Sequence, residues 1–221
     1  MPTSRYERAA RSAGYRTIAG LDEAGRGALF GPVFAAAVVL DPARPVRGLD
    51  DSKQLSAERR ETLAARIRER AAGWALGAAD AFEIDRINIL EASRLAMQRA
   101  VAALNARLSV PCDYLLTDAM RVNVDLPQKP IVHGDARCFS IAAASILAKV
   151  GRDAAMARWD AVFPEFGFAR NQGYGTPDHL AALERAGPCA LHRFSFAPVR
   201  KASRHAVWSG YPVAREMQEG L

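Results

Sequence analysis

Two apolar segments on either side of a short glycine-rich stretch constrain the fold of this chain more than any other feature of its sequence. Residues 18–21 are apolar, and residues 33–40 are almost wholly apolar and β-branched toward their end. Continuous apolar runs of this length are typical of strands that are buried on both faces. We therefore expect two neighbouring strands, paired like a hairpin around the glycines.

The first of these strands ends in two adjacent carboxylates, Asp22 and Glu23. Burying such a pair costs desolvation and mutual repulsion, which only a cation or an exposed position relieves. Gly25 and Gly27 lie on either side of Arg26, so the backbone can come close to a ligand that the arginine binds. A guanidinium binds phosphate through two parallel hydrogen bonds, which makes phosphate the expected ligand. We interpret the segment as a metal site beside a phosphate site. A polar turn after a strand remains the alternative.

Composition favours a polyanionic partner. With 221 residues and 50% hydrophobic content, the chain can form one large core, or one core and a small appendage. Thirty Lys and Arg against 24 Asp and Glu give a formal charge of +6, which suits nucleic acid. Only four of the cations are lysines, so compositional drift toward arginine is an alternative cause.

Cysteine usage and hydropathy predict the compartment. The three cysteines are widely spaced and form no C-x-x-C pair, which indicates a reducing environment and no thiolate zinc site. The first twenty residues contain no apolar run long enough for a signal peptide, and no later segment approaches a membrane span. We expect a soluble cytoplasmic protein without a membrane partner.

The apolar pattern predicts further strands and several helices. The predicted strands are residues 17–22, 33–40, 74–79, 114–117 and 130–133. The predicted helices follow the N-cap Ser56 as far as Gly73, span residues 87–108 and 139–160, and follow Thr176 as far as Gly187. Because strands come first in pairs and later alternate with helices, a mixed α/β sheet is favoured over a purely parallel one.

Four acids share one position in this pattern, since each follows an apolar strand: Asp22, Glu23, Asp118 and Asp135. Such strand ends line the ligand crevice of open α/β sheets, so the four acids can converge. Carboxylates that hold two divalent cations would support hydrolysis of a phosphodiester. Taken singly, an acid at the position of Asp118 or Asp135 is more often an ordinary turn or helix-cap residue. Adjacent strand side chains point to opposite faces, so Asp22 and Glu23 reach one site only if the strand ends or twists there.

A series of short motifs lies along the chain in a definite order. These motifs are Leu-Asp-Glu-Ala-Gly-Arg-Gly (21–27), Gly-Pro-Val (31–33), Asp-Ser-Lys (51–53), Glu-Ile-Asp-Arg-Ile-Asn-Ile-Leu (83–90), Gly-Asp-Ala (134–136), Ser-Ile-Ala-Ala-Ala-Ser-Ile-Leu-Ala-Lys-Val (140–150), Gly-Tyr-Gly-Thr (173–176) and His-Arg (192–193). With these motifs the chain resembles bacterial ribonuclease HII, from about residue 18 to residue 199. The resemblance implies an RNase H-like α/β fold, with a mixed five-stranded sheet flanked by helices and a helical C-terminal segment. One catalytic domain would span residues 1–199, followed by a tail, 200–221, that is disordered or binds a partner.

The resemblance also implies an activity. The chain would act as a monomeric endoribonuclease on RNA/DNA hybrids and would cut 5′ of single ribonucleotides in duplex DNA, leaving 3′-hydroxyl and 5′-phosphate ends. Two Mg²⁺ or Mn²⁺ ions would be held by Asp22, Glu23, Asp118 and Asp135. The substrate would be bound by Gly25, Arg26 and Gly27 at the phosphate and 2′-OH, by Tyr174 stacking on a sugar, and by Lys53 and His133.

Several residues depart from the family pattern. Ala28 and Phe30 replace a proline and a small residue, which suggests a looser and bulkier turn, and Ala119 follows Asp118 where glycine is frequent. His133 replaces a lysine; it could contact phosphate or move protons, although a surface role is the commoner one for such a histidine. A non-catalytic RNA/DNA-binding module and a metal-dependent nuclease or phosphatase of other specificity therefore remain alternatives.

Overall fold

The computed structural model describes residues 2–203. Its strands are β1 (Ile18–Ala24), β2 (Val33–Val39), β3 (Gly73–Ala79), β4 (Tyr114–Asp118) and β5 (Gln128–Ile131). Its helices are α1 (Arg5–Ser12), α2 (Ala57–Arg70), α3 (Ala81–Asn105), α4 (Phe139–Val162), α5 (Phe168–Asn171), α6 (Pro177–Ala186) and α7 (Ala197–Ser203). Residues 200–203 of the predicted tail belong to α7, and the rest of that tail lies outside the described residues.

The five strands form one mixed sheet in the order β3-β2-β1-β4-β5. β1 pairs antiparallel with β2, which confirms the predicted hairpin, and β2 pairs antiparallel with β3. β4 runs parallel to both β1 and β5. The ends of β1, β4 and β5 therefore lie at one edge of the sheet, as the four-acid pattern requires.

Both faces of the sheet are buried against helices. Alternate residues of β2 show this, because Ala35 and Ala37 belong to the core that includes α3, whereas Ala36 and Val38 belong to the core that includes α2 and α4. Small residues allow a close approach of helix to sheet, since a Cβ at Gly20 would lie 2.1 Å from the backbone of Ser140 in α4. The nearly continuous apolar sequence of the central strands follows from this two-sided burial.

Several element boundaries differ from the predicted ones. α3 begins at Ala81, well before the predicted residue 87, because Asp80 and Glu83 form a capping box. The helix is kinked at Asn88, where φ is 69°. The helix after Ser56 leaves helical geometry at Ala71, before Gly73. β5 ends at Ile131, two residues earlier than predicted. α1, α5 and α7 were not predicted, because short helices carry little periodic signal.

The C-terminal part packs on the loop between β1 and β2. Leu29 and Phe30 share a core cluster with residues of α4, α5, α6 and α7. The backbone of Leu29 also bonds both Gly173 and Arg193, through its N–H at 2.8 Å and its carbonyl at 2.8 Å. In residues 2–203 no helix is both long and apolar enough to cross a membrane.

Candidate active site

Asp22 and Glu23 lie in the second half of β1, and Asp118 is the last residue of β4. Asp135 lies in the turn between β5 and α4. The structure brings the four together: Asp118 is close enough to the β1 carboxylates to raise the pKa of both, and the charge of Asp135 raises the pKa of Asp118 in turn. The sheet topology therefore assembles the predicted acidic cluster.

Asp22 is one of the two acids of the cluster, with Asp135, that are buried from solvent. Burial raises its pKa well above the usual range, and the charges of Glu23 and Asp118 add to that effect. The Ser145 hydroxyl of α4 is near enough to lower this pKa, and so does the Glu23 N–H, which donates to Asp22 Oδ1 at 2.7 Å. Ser145 in turn bonds Ser52 at 2.8 Å between the two hydroxyl oxygens. These two serines were not predicted as site residues, although both lie in the segments that carry the resemblance.

Glu23 has one oxygen with a partner and one without. Its Oε1 lies 3.3 Å from Nη1 of Arg26, whereas Oε2 is buried and has no hydrogen-bond partner among the described residues. Burial raises the pKa of Glu23, and the nearby Arg26 opposes that shift. A buried carboxylate oxygen without a donor is unfavourable, and a cation would satisfy it.

The expected difficulty of orienting Asp22 and Glu23 is only partly removed. β1 continues to Ala24 instead of ending at the pair, and Asp22 pairs with Ala36 while Glu23 pairs with Ala35. These alanines face opposite cores, so the two acids leave the sheet on opposite faces. The ladder between β1 and β4 ends at Leu21 and Thr117, before the acids. Beyond that point no strand ladder separates Glu23 from Asp118.

Asp118 is held by the turn that follows β5. Its Oδ1 accepts a hydrogen bond from the Gly134 N–H at 2.7 Å. Burial raises its pKa, the Gly134 bond lowers it, and His133 is near enough to lower it slightly. His133 itself is exposed, with a left-handed φ of 55°, and Ala119 has a φ of 51°. The glycine frequent at position 119 in the family suits that conformation.

Lys53 reaches the same cluster from a short 3₁₀ turn at Ser52–Gln54. Its Nζ lies 3.2 Å from Oδ2 of the buried Asp135, while most of the lysine side chain remains exposed. The Oδ1 of Asp135 accepts a hydrogen bond from the Ala136 N–H at 2.9 Å. Lys53 can therefore move toward an anionic ligand without unfolding any element.

The glycine loop, residues 25–31, and the tyrosine loop, residues 171–175, lie side by side. Ala28 and Tyr174 form an antiparallel bridge, and the Leu29 N–H donates to the Gly173 carbonyl at 2.8 Å. The side chain of Arg26 is exposed beside them, and a Cβ at Gly27 would meet nothing within 4 Å. Tyr174 is partly buried. Arg26 and Tyr174 thus share one surface next to the acids.

The departures at residues 28 and 30 do not loosen the glycine loop. Phe30 is fully buried and stacks on Phe168 with ring centroids 3.7 Å apart. The N–H of Ala28 donates to the Gly25 carbonyl at 3.3 Å, a bond that a proline could not form. The expected looser turn is wrong, because the larger aromatic ring fills a hydrophobic cluster instead of crowding the backbone.

The motif at residues 192–193 connects the C-terminal segment to the glycine loop. Arg193 donates to the carbonyl of Gly31 at 2.9 Å and to that of Arg26 at 2.8 Å. His192 lies 3.0 Å from His179 between their Nε2 atoms, and burial lowers the pKa of His192 to about 3. Burial also lowers the pKa of His179, so the two histidines form a buried neutral pair.

In the part of the chain that the structure describes, no three His, Cys, Asp or Glu side chains are arranged tightly enough to hold a metal ion as they stand. Two of the acids instead contact cations of the chain, Arg26 and Lys53. The donor chemistry nevertheless fits a hard divalent cation, because four carboxylates converge and Glu23 Oε2 has no partner.

Comparison with known proteins identifies the family. A ribonuclease HII family profile matches residues 19–199. A ribonuclease HII of Solibacter usitatus is 58% identical over 198 residues, which cover 90% of this chain and 85% of that protein. One of Koribacter versatilis is 53% identical over 201 residues, which cover 91% of this chain and 78% of that protein.

Solved structures agree with the sequence comparison. The crystal structure of the ribonuclease H2 from Pyrococcus horikoshii OT3 matches with a TM-score of 0.68 and 26% identity, covering 86% of this chain and 98% of that one. The predicted RNase H-like α/β fold is therefore confirmed. This chain belongs to the ribonuclease HII family and is a type II ribonuclease H, a hydrolase that acts on RNA/DNA hybrids.

Proposed function

We propose that this ribonuclease also cuts 5′ of single ribonucleotides embedded in duplex DNA, by two-metal-ion hydrolysis that leaves 3′-hydroxyl and 5′-phosphate ends. The convergence of four carboxylates, with one buried oxygen left without a partner, carries the proposal. The resemblance of the glycine and tyrosine motifs to those of ribonuclease HII supports the specificity. The alternative of a non-catalytic binding module fits less well, since free carboxylates would repel substrate phosphates.

The cofactor would be Mg²⁺ or Mn²⁺, held by the four acids Asp22, Glu23, Asp118 and Asp135. When bound, two such ions activate water and stabilise the leaving oxygen of the phosphodiester. The raised pKa values of Asp22, Glu23 and Asp118 support this role, because a nearby divalent charge favours the ionised carboxylates that burial disfavours.

Substrate recognition would come from the two adjacent loops. Arg26 would exchange its contact with Glu23 for a substrate phosphate, which a guanidinium binds in a fork. Gly25 and Gly27 would admit the backbone and 2′-OH, and Tyr174 would stack on the sugar of the next deoxynucleotide. Lys53 and His133, both exposed beside the acids, would contact phosphates on the other side of the site.

A cleavage assay on matched substrates tests the proposal. A duplex with one ribonucleotide, a long RNA/DNA hybrid, all-DNA duplex and single-stranded RNA are compared in Mg²⁺, in Mn²⁺ and in EDTA. We expect cleavage of the first two only, 5′ of the single ribonucleotide, and none in EDTA. Cleavage of all-DNA duplex would instead indicate a nuclease of other specificity, and binding without cleavage in either metal would indicate a binding module.

We further propose that the enzyme works as a monomer in the cytoplasm. All three cysteines are unpaired in the structure, in keeping with a reducing compartment. Light scattering on the full chain tests the oligomeric state, and a mass twice that of the 23.9 kDa chain would contradict it.

A further inference from the structure

Arg152 of α4 is a buried cation that the proposed mechanism does not use. It forms no ion pair within residues 2–203, and its Nε has no hydrogen-bond partner there. Its two hydrogen bonds go to backbone carbonyls on different loops: Nη1 donates to Gln172 at 2.7 Å and Nη2 donates to Phe30 at 3.4 Å. One guanidinium therefore joins the glycine loop to the tyrosine loop.

The same guanidinium contacts a candidate substrate residue on each loop. Its central carbon lies 5.2 Å from the ring centroid of Tyr174, within range of a cation–π interaction. On the other side, a Cβ at Gly25 would lie 2.0 Å from Nε, so the backbone of Gly25 rests directly on the Arg152 side chain. Gly25 also has a left-handed φ of 94°. Arg152 thus lies between Gly25 and Tyr174.

Packing alone does not account for an arginine at this position. Burial of an unpaired cation is unfavourable, and a hydrophobic side chain of similar volume often replaces such a charge without loss of stability. What a hydrophobic side chain cannot supply is a rigid planar fork with donors aimed at two separate carbonyls. Lysine keeps the charge but lacks that fork. The specific chemistry of arginine therefore points to a role in fixing geometry.

We propose that Arg152 is a positioning residue: it sets the position of Tyr174 relative to the glycine loop, and thereby the preference of the enzyme for a single-ribonucleotide junction over a long hybrid. This inference rests on the proposed reading of that junction by Arg26 and Tyr174. A junction can bind in only one productive register, so a misplaced Tyr174 ring should slow its cleavage strongly. A long hybrid offers many registers and tolerates the misplacement better.

Selectivity, defined as the ratio of kcat/KM for the single-ribonucleotide duplex to that for the long hybrid, measures this role. Arg152→Lys keeps the charge and Arg152→Met keeps the packing, and we expect each to lower the selectivity by about tenfold. Met156→Leu is the matched control, because Met156 is buried in the same helix and its methyl carbon packs against Gly31. It should lower the melting temperature slightly and leave the selectivity unchanged. If the lysine variant does not fold, the selectivity of Arg152→Met alone decides the result.

A double-mutant cycle separates positioning from general damage. If Arg152 acts through Tyr174, adding Arg152→Met to Tyr174→Ala should change the selectivity by less than about twofold, since the ring it positions is gone. An independent tenfold loss in that background, or unchanged selectivity in the Arg152 single variants, overturns the inference. Failure of the proposed function is recognised separately: Tyr174→Ala alone would then affect both substrates equally.

Discussion

At the residue scale, the surroundings of each acid decide how it behaves without a metal. Burial and the charges of Glu23 and Asp118 raise the pKa of Asp22 above its usual 3.8. An acid whose pKa is raised by folding stabilises the fold below its unfolded pKa, and that contribution is lost as the pH rises through the folded pKa. The metal-free protein should therefore become less stable as the pH rises from about 4 into the neutral range.

Asp22→Asn should flatten this pH dependence, because the amide carries no charge that the fold must bury. Thermal unfolding in EDTA, between about pH 4 and 8, measures the effect. We expect the variant to melt at a higher temperature than the wild type at neutral pH. Asp125→Asn, at an exposed carboxylate, is the control and should follow the wild type. A wild-type melting temperature that increases steadily over this range would contradict the pKa assignment.

The backbone beside Asp118 offers a second test at this scale. Ala119 has a φ of 51°, in the left-handed region that strains residues with a Cβ. Ala119→Gly removes that strain but adds entropy to the unfolded chain, so we expect a net gain of about 0.5–1 kcal/mol in the free energy of unfolding. Urea denaturation measures it. A loss of stability would show that the alanine methyl contributes packing that outweighs the strain.

At the element scale, α4 depends on an acid from a helix that was not predicted. The N-cap residue Cys138 provides no side-chain cap, and instead Glu7 of α1 accepts a hydrogen bond from the Ser140 N–H at 2.8 Å. The Cys138 thiol also lies 3.2 Å from the same Glu7 oxygen. A negative charge at this position favours the N-terminus of α4, which begins just after Asp135.

Glu7→Ala should therefore lower the free energy of unfolding by about 1–3 kcal/mol, because a buried backbone donor at the start of α4 loses its partner. Chemical denaturation of the variant measures the loss. Arg8→Ala, an exposed position on the same helix, should change stability by less than about 0.5 kcal/mol. Equal effects of the two variants would mean that Glu7 contributes only to the surface of α1.

The elements differ in how far local sequence determined them. α2 and α6 begin where predicted, since Ser56 and Thr176 accept hydrogen bonds from N–H groups of their own first turns. The start of α3 was missed although its signal is local: Asp80 and Glu83 have the spacing of a capping box. The early end of β5 could not be predicted from a short apolar run, because it depends on the turn that brings Gly134 to Asp118.

At the scale of the whole molecule, the convergence of the acids could be predicted from the sequence, whereas the residues that fix the loops around them could not. Asp22 lies near the end of β1, Asp118 ends β4 and Asp135 follows β5, and parallel pairing of these strands brings their ends to one edge. No local pattern distinguishes Arg152 from a surface arginine of a helix, because its partners lie on loops far away in the sequence. Arg193 could be singled out in the sequence only as part of a motif. Its hydrogen bonds to the glycine loop are seen only in the tertiary structure.

The central claim is that the four converging carboxylates are the metal-dependent catalytic centre. The turnover of Asp118→Asn on an RNA/DNA hybrid at saturating Mg²⁺ tests it most directly, with the melting temperature in EDTA measured on the same preparation and Asp125→Asn as the control. We predict that kcat falls by at least about a hundredfold, because loss of one metal ligand removes several kcal/mol of charge stabilisation. The melting temperature should be equal or higher, since one of several clustered negative charges is gone. Near-normal turnover by a folded Asp118→Asn variant would contradict the assignment.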